Sequence, residues 1–197
     1  MNAAAHSLES VFCRAFRDAL QDDKVGAPLK EAASHRRMRE WTEAMTNVVV
    51  ETCRQMDWTC CARWNPNQAL PRVQKEYLTL DVTAFPATRT GWQLPCAAME
   101  LENNASKAKI AYCLWKLCAV SVQFRCLFCY RETAEEYAAL LAYLRDTVLR
   151  AFTAEERDGL RGPLLLCVGT RADASSFPHG FFRWWRINLN TCNFEVI

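Results

Sequence analysis

Glycine is scarce in this chain, six residues in 197, and none of the glycine-rich loops that cradle phosphate is present. Neither G-x-x-x-x-G-K-[ST] nor G-x-G-x-x-G occurs, which removes P-loop nucleotidases and dinucleotide-binding enzymes. H-E-x-x-H and G-x-S-x-G are absent too, and with them the zinc proteases and serine hydrolases built on those motifs. Histidine is limited to His6, His35 and His179, each far in sequence from any paired cysteine. No apolar run approaches the ~20 residues that span a bilayer, and even Pro95 to Leu101 is interrupted by Glu100. Neither sign of charge dominates: 24 Lys and Arg stand against 22 Asp and Glu, a net charge of +2. Bulk charge therefore announces no nucleic-acid partner, and such a claim has to come from a site. The segment MNAAAHSLESVFCRAF shows no basic region followed by an apolar stretch and a cleavage site, so the expectation is a cytoplasmic protein with no membrane partner.

What is abundant is apolar surface and cysteine. Half of the residues, 51%, are apolar and 23% are charged, the balance of one globular domain with a core large enough to need no metal or disulfide staple. The eleven cysteines are odd in number, and without a secretory signal they read as reduced core thiols rather than a disulfide framework. Cys126 and Cys129 match C-x-x-C, but residues three apart on a strand point to opposite faces, so their thiolates do not converge on one ion. The adjacent pair Cys60 and Cys61 has the same defect.

Periodicity gives the order of elements. Leu8, Val11, Phe12, Ala15, Phe16, Ala19 and Leu20 fall at helical spacing, which predicts a helix over 7–20. The Gly, Pro and charges of QDDKVGAP predict a loop over 21–36. Trp41, Ala44, Met45, Val48, Val49, Thr52, Cys53 and Met56 form the stripe of a second, longer helix from Arg37 to Met56. The alternating, β-rich run from Arg72 to Val82 predicts a strand, and Pro95 to Glu102 the next, with turn residues from Pro86 to Gly91 between them. Asn103 to Ser106 offers capping chemistry for a helix over 107–118. A strand over 120–130 follows, then a helix opened by a capping box of Thr133 and Glu136, a buried strand LLLCVG after Gly162-Pro163, and a terminal hairpin over 181–197 turning near Asn190. The fold class this predicts is α/β: a single domain, 1–197, whose central mixed sheet is flanked by helices.

Carboxylates inside these strands stand out, because apolar strands rarely keep acids without a reason. Glu100 and Glu102 share one strand face, Met99 and Leu101 the other, and Tyr77, Thr79 and Asp81 share a face of the preceding strand. If the two strands are neighbours, Asp81 lies beside Glu100. Clustered carboxylates repel one another and favour a hard divalent cation such as Mg²⁺ or Mn²⁺, which activates water and stabilises charge on a phosphoryl group. The alternative is structural: a strand-end turn former at Asp81, a helix-approach residue at Glu102, and a Glu100 paired with a buried arginine such as Arg125.

A helix, a strand ending in Asp, a turn, a strand carrying Glu, a helix and another strand resembles the PD-(D/E)XK nuclease superfamily, the restriction-endonuclease-like fold. The matching residues are Asp81 of YLTLD, Glu100 of AMELEN and, where the family has lysine, Glu102; the similarity of order runs from Trp41 to Arg131. The resemblance implies a nuclease-like core over about 37–170 and a metal-dependent phosphodiesterase acting on DNA. Asp81, Glu100 and Glu102 would be its catalytic residues, with Asp81 and Glu100 the ligands of Mg²⁺. Family members that move the basic residue onto the following helix make Lys107 and Lys109 the candidates here, and a carboxylate from the first helix would be Glu43 or Glu51. For DNA contact, HRRMRE contributes Arg36, Arg37 and Arg39, while FRWWR interleaves Arg183 and Arg186 with tryptophan. A homodimer would suit cleavage of both strands. The competing expectation is a catalytically inactive binding or assembly module that keeps the fold, with the Trp-rich hairpin as its interface.

Overall fold

The computed structural model describes residues 7–35, 37–65, 69–72 and 76–197. Among them it forms an α/β fold, six α-helices around a seven-stranded mixed sheet. Three helices come first: α1 (Leu8–Gln21), α2 (Asp23–Ser34) and α3 (Met38–Gln55). They lead into β1 (Trp58–Ala62), β2 (Val82–Pro86) and β3 (Ala97–Glu102). Helix α4 (Lys107–Ala119) crosses to β4 (Phe124–Arg131), and α5 (Glu136–Thr147) with α6 (Ala154–Gly159) crosses to β5 (Leu164–Thr170). The chain ends in a hairpin of β6 (Phe182–Asn188) and β7 (Asn193–Val196).

The strands lie in the sheet in chain order. The parallel pairs β3/β4 and β4/β5, each joined by a helical crossover, sit at the centre, and antiparallel pairs flank them on both sides. All eight residues of β4 and all seven of β5 are buried, as central parallel strands covered on both faces must be. Alternation sends Phe124, Cys126, Phe128 and Tyr130 to one face, against Phe12 and Phe16 of α1 and Trp41, Met45 and Val48 of α3. The other face takes Leu127 and Cys129 against Ile110 and Leu114 of α4 and Leu140 and Leu144 of α5. Cys126 and Cys129 do part to opposite faces, and all eleven cysteines are buried.

Several expectations need correction. The stretch expected as a loop over 21–36 contains α2: the Asp22 side chain accepts a hydrogen bond from Lys24 N at 2.9 Å and so caps it, and Pro28 is carried inside the helix. Gly26 is not a breaker here. A Cβ on it would stand 1.9 Å from the Leu20 carbonyl oxygen, so glycine is what lets the chain fold back against α1.

The strand expected over 72–82 starts only at Val82. Residues 73–75 lie outside the described ones, and Leu78 and Thr79 both have φ of +57°, which no strand accommodates. A strand also needs a partner, and β1, which was not anticipated, pairs with β2 only as far as Ala62 opposite Val82. The capping box at Thr133 and Glu136 is not formed: α5 has no side-chain cap, and Glu136 faces Arg131 at 3.8 Å. The reciprocal pattern occurs instead at Thr153 and Glu156, opening α6. Ser106 likewise makes no side-chain cap on α4; its own N–H is taken by Asn104 Oδ1 at 2.9 Å.

A carboxylate pair and a helix lysine at the β2–β3 edge

The antiparallel register pairs Val82 with Met99, so Asp81 stands where the next pair would put it, opposite Glu100. Asp81 caps the end of the ladder: its Oδ2 accepts a hydrogen bond from Leu101 N at 2.8 Å. Burial of Leu80, 1% exposed, anchors the chain just before it. The turn upstream is held by the Leu80 N–H donating to Tyr77 O at 3.1 Å and Thr83 Oγ1 donating to Tyr77 O at 3.3 Å.

Glu100 is almost fully buried, on the sheet face covered by α4. Its Oε1 is 2.7 Å from the ammonium of Lys116 on that helix, and the same ammonium donates to Thr79 O at 2.9 Å. Lys116 therefore joins three elements: the turn before β2, strand β3 and helix α4. It was not anticipated from the sequence, where it reads as one more polar residue on an apolar helix. Lys107 and Lys109, the candidates the resemblance suggested, lie exposed in the first turn of α4.

Electrostatics set this pair apart from a neutral ion pair. Burial, and then the neighbouring Asp81 carboxylate, push Glu100 up to about 7 even though Lys116 pulls the other way. Burial also raises Asp81 above the usual carboxylate range; the Leu101 N–H and Lys116 oppose the rise, and the Glu76 and Glu102 carboxylates add to it. Burial works to lower the Lys116 pKa, but the Glu100 carboxylate outweighs it and the net shift is upward. Cys113 of α4 also faces Glu100, and burial followed by that carboxylate pushes its thiol up. One ammonium thus serves two close carboxylates, with two more acids nearby, and negative charge is left over.

Glu102 lies on the same strand face but is only half-buried, and its Oε1 accepts from Asn104 N at 2.7 Å. Among the described residues no group of three or more His, Cys, Asp or Glu is placed to hold a metal ion, so the site is a pair with an ammonium rather than a triad. Magnesium is often bound through one or two carboxylates with water filling the other positions. Asp81 and Glu100 offer two hard oxygen donors of that kind, one accepting from the Leu101 N–H and the other paired with the Lys116 ammonium.

The remaining candidates are dispersed. Arg125 does not face Glu100; its guanidinium donates to the carbonyls of Leu117 at 2.9 Å, Val120 at 2.8 Å and Arg161 at 2.6 Å, tying down the end of α4. Arg36 lies outside the described residues, while Arg37 is held by Glu31 at 2.5 Å and Glu40 at 2.7 Å. Arg186 is paired with Glu195 at 2.7 Å and Glu9 at 3.7 Å. Arg183 is exposed, but Trp184 and Trp185 of the same strand are both buried, one on each face of the sheet. Glu43 is exposed and Glu51 pairs with Arg54 at 2.6 Å. No helix among the described residues is long and apolar enough to cross a membrane. Compared with family models, curated proteins and solved structures, the chain matches none of them.

Proposed function

We propose that this protein is a metal-dependent phosphodiesterase of nuclease type acting on DNA, with a core of the restriction-endonuclease-like kind. One observation carries the reading: Asp81 and Glu100 meet at the edge of adjacent strands with the Lys116 ammonium 2.7 Å from Glu100. Asp81 and Glu100 would hold Mg²⁺ or Mn²⁺, which when bound polarises a phosphate and lowers the pKa of its water. Lys116 supplies the positive charge that Glu102 cannot. It would orient Glu100 and sit within reach of a phosphate oxygen brought to the pair, a charge-stabilising role suited to phosphoryl transfer. Glu102, two residues along the same strand face, would accept a proton from an attacking water.

A second reading, a catalytically inactive module of the same fold, draws on the same contacts: Lys116 already neutralises part of Glu100, and Asp81 already bonds Leu101. Cleavage of a panel of single-stranded, duplex and branched DNA in Mn²⁺ and in Mg²⁺ separates the two. The phosphodiesterase reading expects wild-type cleavage that vanishes in Glu100→Ala and falls roughly 10- to 100-fold in Lys116→Met, the usual effect of removing a group that orients a metal ligand. Equal cleavage by wild type and Glu100→Ala, or none by either, gives the site to the inactive module.

A further inference from the structure

Helix α4 covers the sheet with one side and presents an unusual face to solvent with the other. Tyr112 and Trp115, one turn apart, are 60% and 48% exposed. Their rings stack on each other, centroids 5.8 Å apart and planes inclined by 21°. Burying them would have been easy in a chain this apolar, and aromatics of this size exposed together mark a contact surface. Ala108 and Ala119, one turn before and one turn after the pair, are exposed and small, so the ring faces are not walled off along the helix.

Charge on the helix itself has one sign, while Glu156 of α6 lines a cavity beside Trp115. Helix α4 carries Lys107, Lys109 and Lys116 and no acidic residue. Lys107 and Lys109 sit in its first turn, where the helix dipole disfavours cations, so helix stability does not account for them. The shelf also begins at the candidate site. The Lys116 nitrogen that touches Glu100 lies 5.8 Å from the centre of the Tyr112 ring.

From this combination we infer that the exposed face of α4 is a stacking platform for unpaired nucleobases, and that the substrate presented to Asp81 and Glu100 is single-stranded nucleic acid. The inference deepens the phosphodiesterase reading and rests on it for the word substrate, while the platform itself is a binding claim. Successive bases stack on exposed aromatic rings whatever their identity, and lysines track the phosphates between them. A duplex keeps its bases stacked on one another and offers the shelf only its backbone. Tyr112, with its ring 5.8 Å from the Lys116 nitrogen, is the ring that joins the shelf to the carboxylate pair.

Binding and cleavage are measured apart. With Ca²⁺ replacing Mg²⁺, fluorescence anisotropy is read for labelled dT20, a 20-mer of abasic residues and a 20-bp duplex, with wild type, Trp115→Ala, Tyr112→Ala and Trp115→Phe. The platform predicts dT20 bound at least ten-fold tighter than the abasic strand. It also predicts a loss of roughly ten-fold in Trp115→Ala and in Tyr112→Ala, and recovery in Trp115→Phe. Abasic and dT20 strands bound alike, aromatic variants that bind as wild type does, or no binding of dT20 by wild type would each overturn it. Concentration-dependent self-association that Trp115→Ala abolishes, without oligonucleotide binding, assigns the shelf to a second copy and overturns it too. Binding that follows the prediction in a protein that cleaves nothing removes the phosphodiesterase reading and leaves the platform standing.

Discussion

Glu100 is held in the folded protein at a cost that depends on pH. Its pKa rises from the ordinary 4.5 to about 7, through burial first and the Asp81 carboxylate second. A folded state that binds a proton more tightly than the unfolded chain loses stability as pH rises between those two values. The contribution is therefore most favourable below about pH 4.5 and is lost as pH passes 7, a range worth on the order of 3 kcal/mol. Urea unfolding of wild type and Glu100→Gln at pH 5 and pH 8 isolates it: the wild type should weaken relative to the variant as pH rises, and parallel curves would show the carboxylate to be unperturbed. If Asp81 and Glu100 hold a divalent cation, Mg²⁺ should return the lost stability at pH 8, where both are ionised, and do little at pH 5. A thermal shift that is the same at both pH values, or the same in Glu100→Gln, would place the ion elsewhere.

At the scale of elements, the junction of α1 and α2 is the sharpest test of packing. Gly26 has no room for a Cβ, which would lie 1.9 Å from the Leu20 carbonyl oxygen. On helix propensity alone Gly26→Ala should stabilise α2 by about 1 kcal/mol; here the clash should reverse the sign and cost roughly 1–3 kcal/mol, seen as a lower urea midpoint at unchanged slope. The same junction explains why part of the fold was hard to read. The glycine and proline of QDDKVGAP are breakers by local chemistry, and it is tertiary contact, invisible in a single sequence, that makes Gly26 a packing device. Strong periodicity was legible: α1, α3, α4, β3, β4, β5 and the terminal hairpin lie where their apolar patterns put them. Val82 to Pro86 carries a pattern no clearer than the run before it, and its strand identity comes from the partner β1. At the site, the pairing of Asp81 with Glu100 followed from alternation and neighbouring strands. The lysine did not, because Lys116 is identified only by the side of α4 that meets the sheet.

The molecule as a whole is one sheet between two apolar layers, and its thiols are spread through both. Cys13, Cys53, Cys60, Cys96, Cys126 and Cys167 lie in the layer beneath α1–α3, and Cys113, Cys118, Cys129 and Cys192 in the layer beneath α4 and α5. Burial raises Cys13 to about 12 and Cys118 to about 11, so thiolate is scarce near neutrality as well as inaccessible. Reaction with an aromatic disulfide reagent should then wait for unfolding: essentially none of the eleven thiols modified in the native protein within minutes, and all of them in concentrated guanidinium. Cys113 makes this reaction a reporter of the candidate site, because it faces Glu100. If Asp81 and Glu100 hold a cation, it stabilises the packing of α4 on β3 by mass action; Mg²⁺ at pH 8 should then slow the native-state reaction of Cys113 in proportion to its occupancy, and Glu100→Gln should remove that protection. A Cys113 that reacts quickly in the absence of Mg²⁺, and as quickly in its presence, would mean that α4 opens away from β3 independently of the carboxylates, and that Lys116 does not hold the two together.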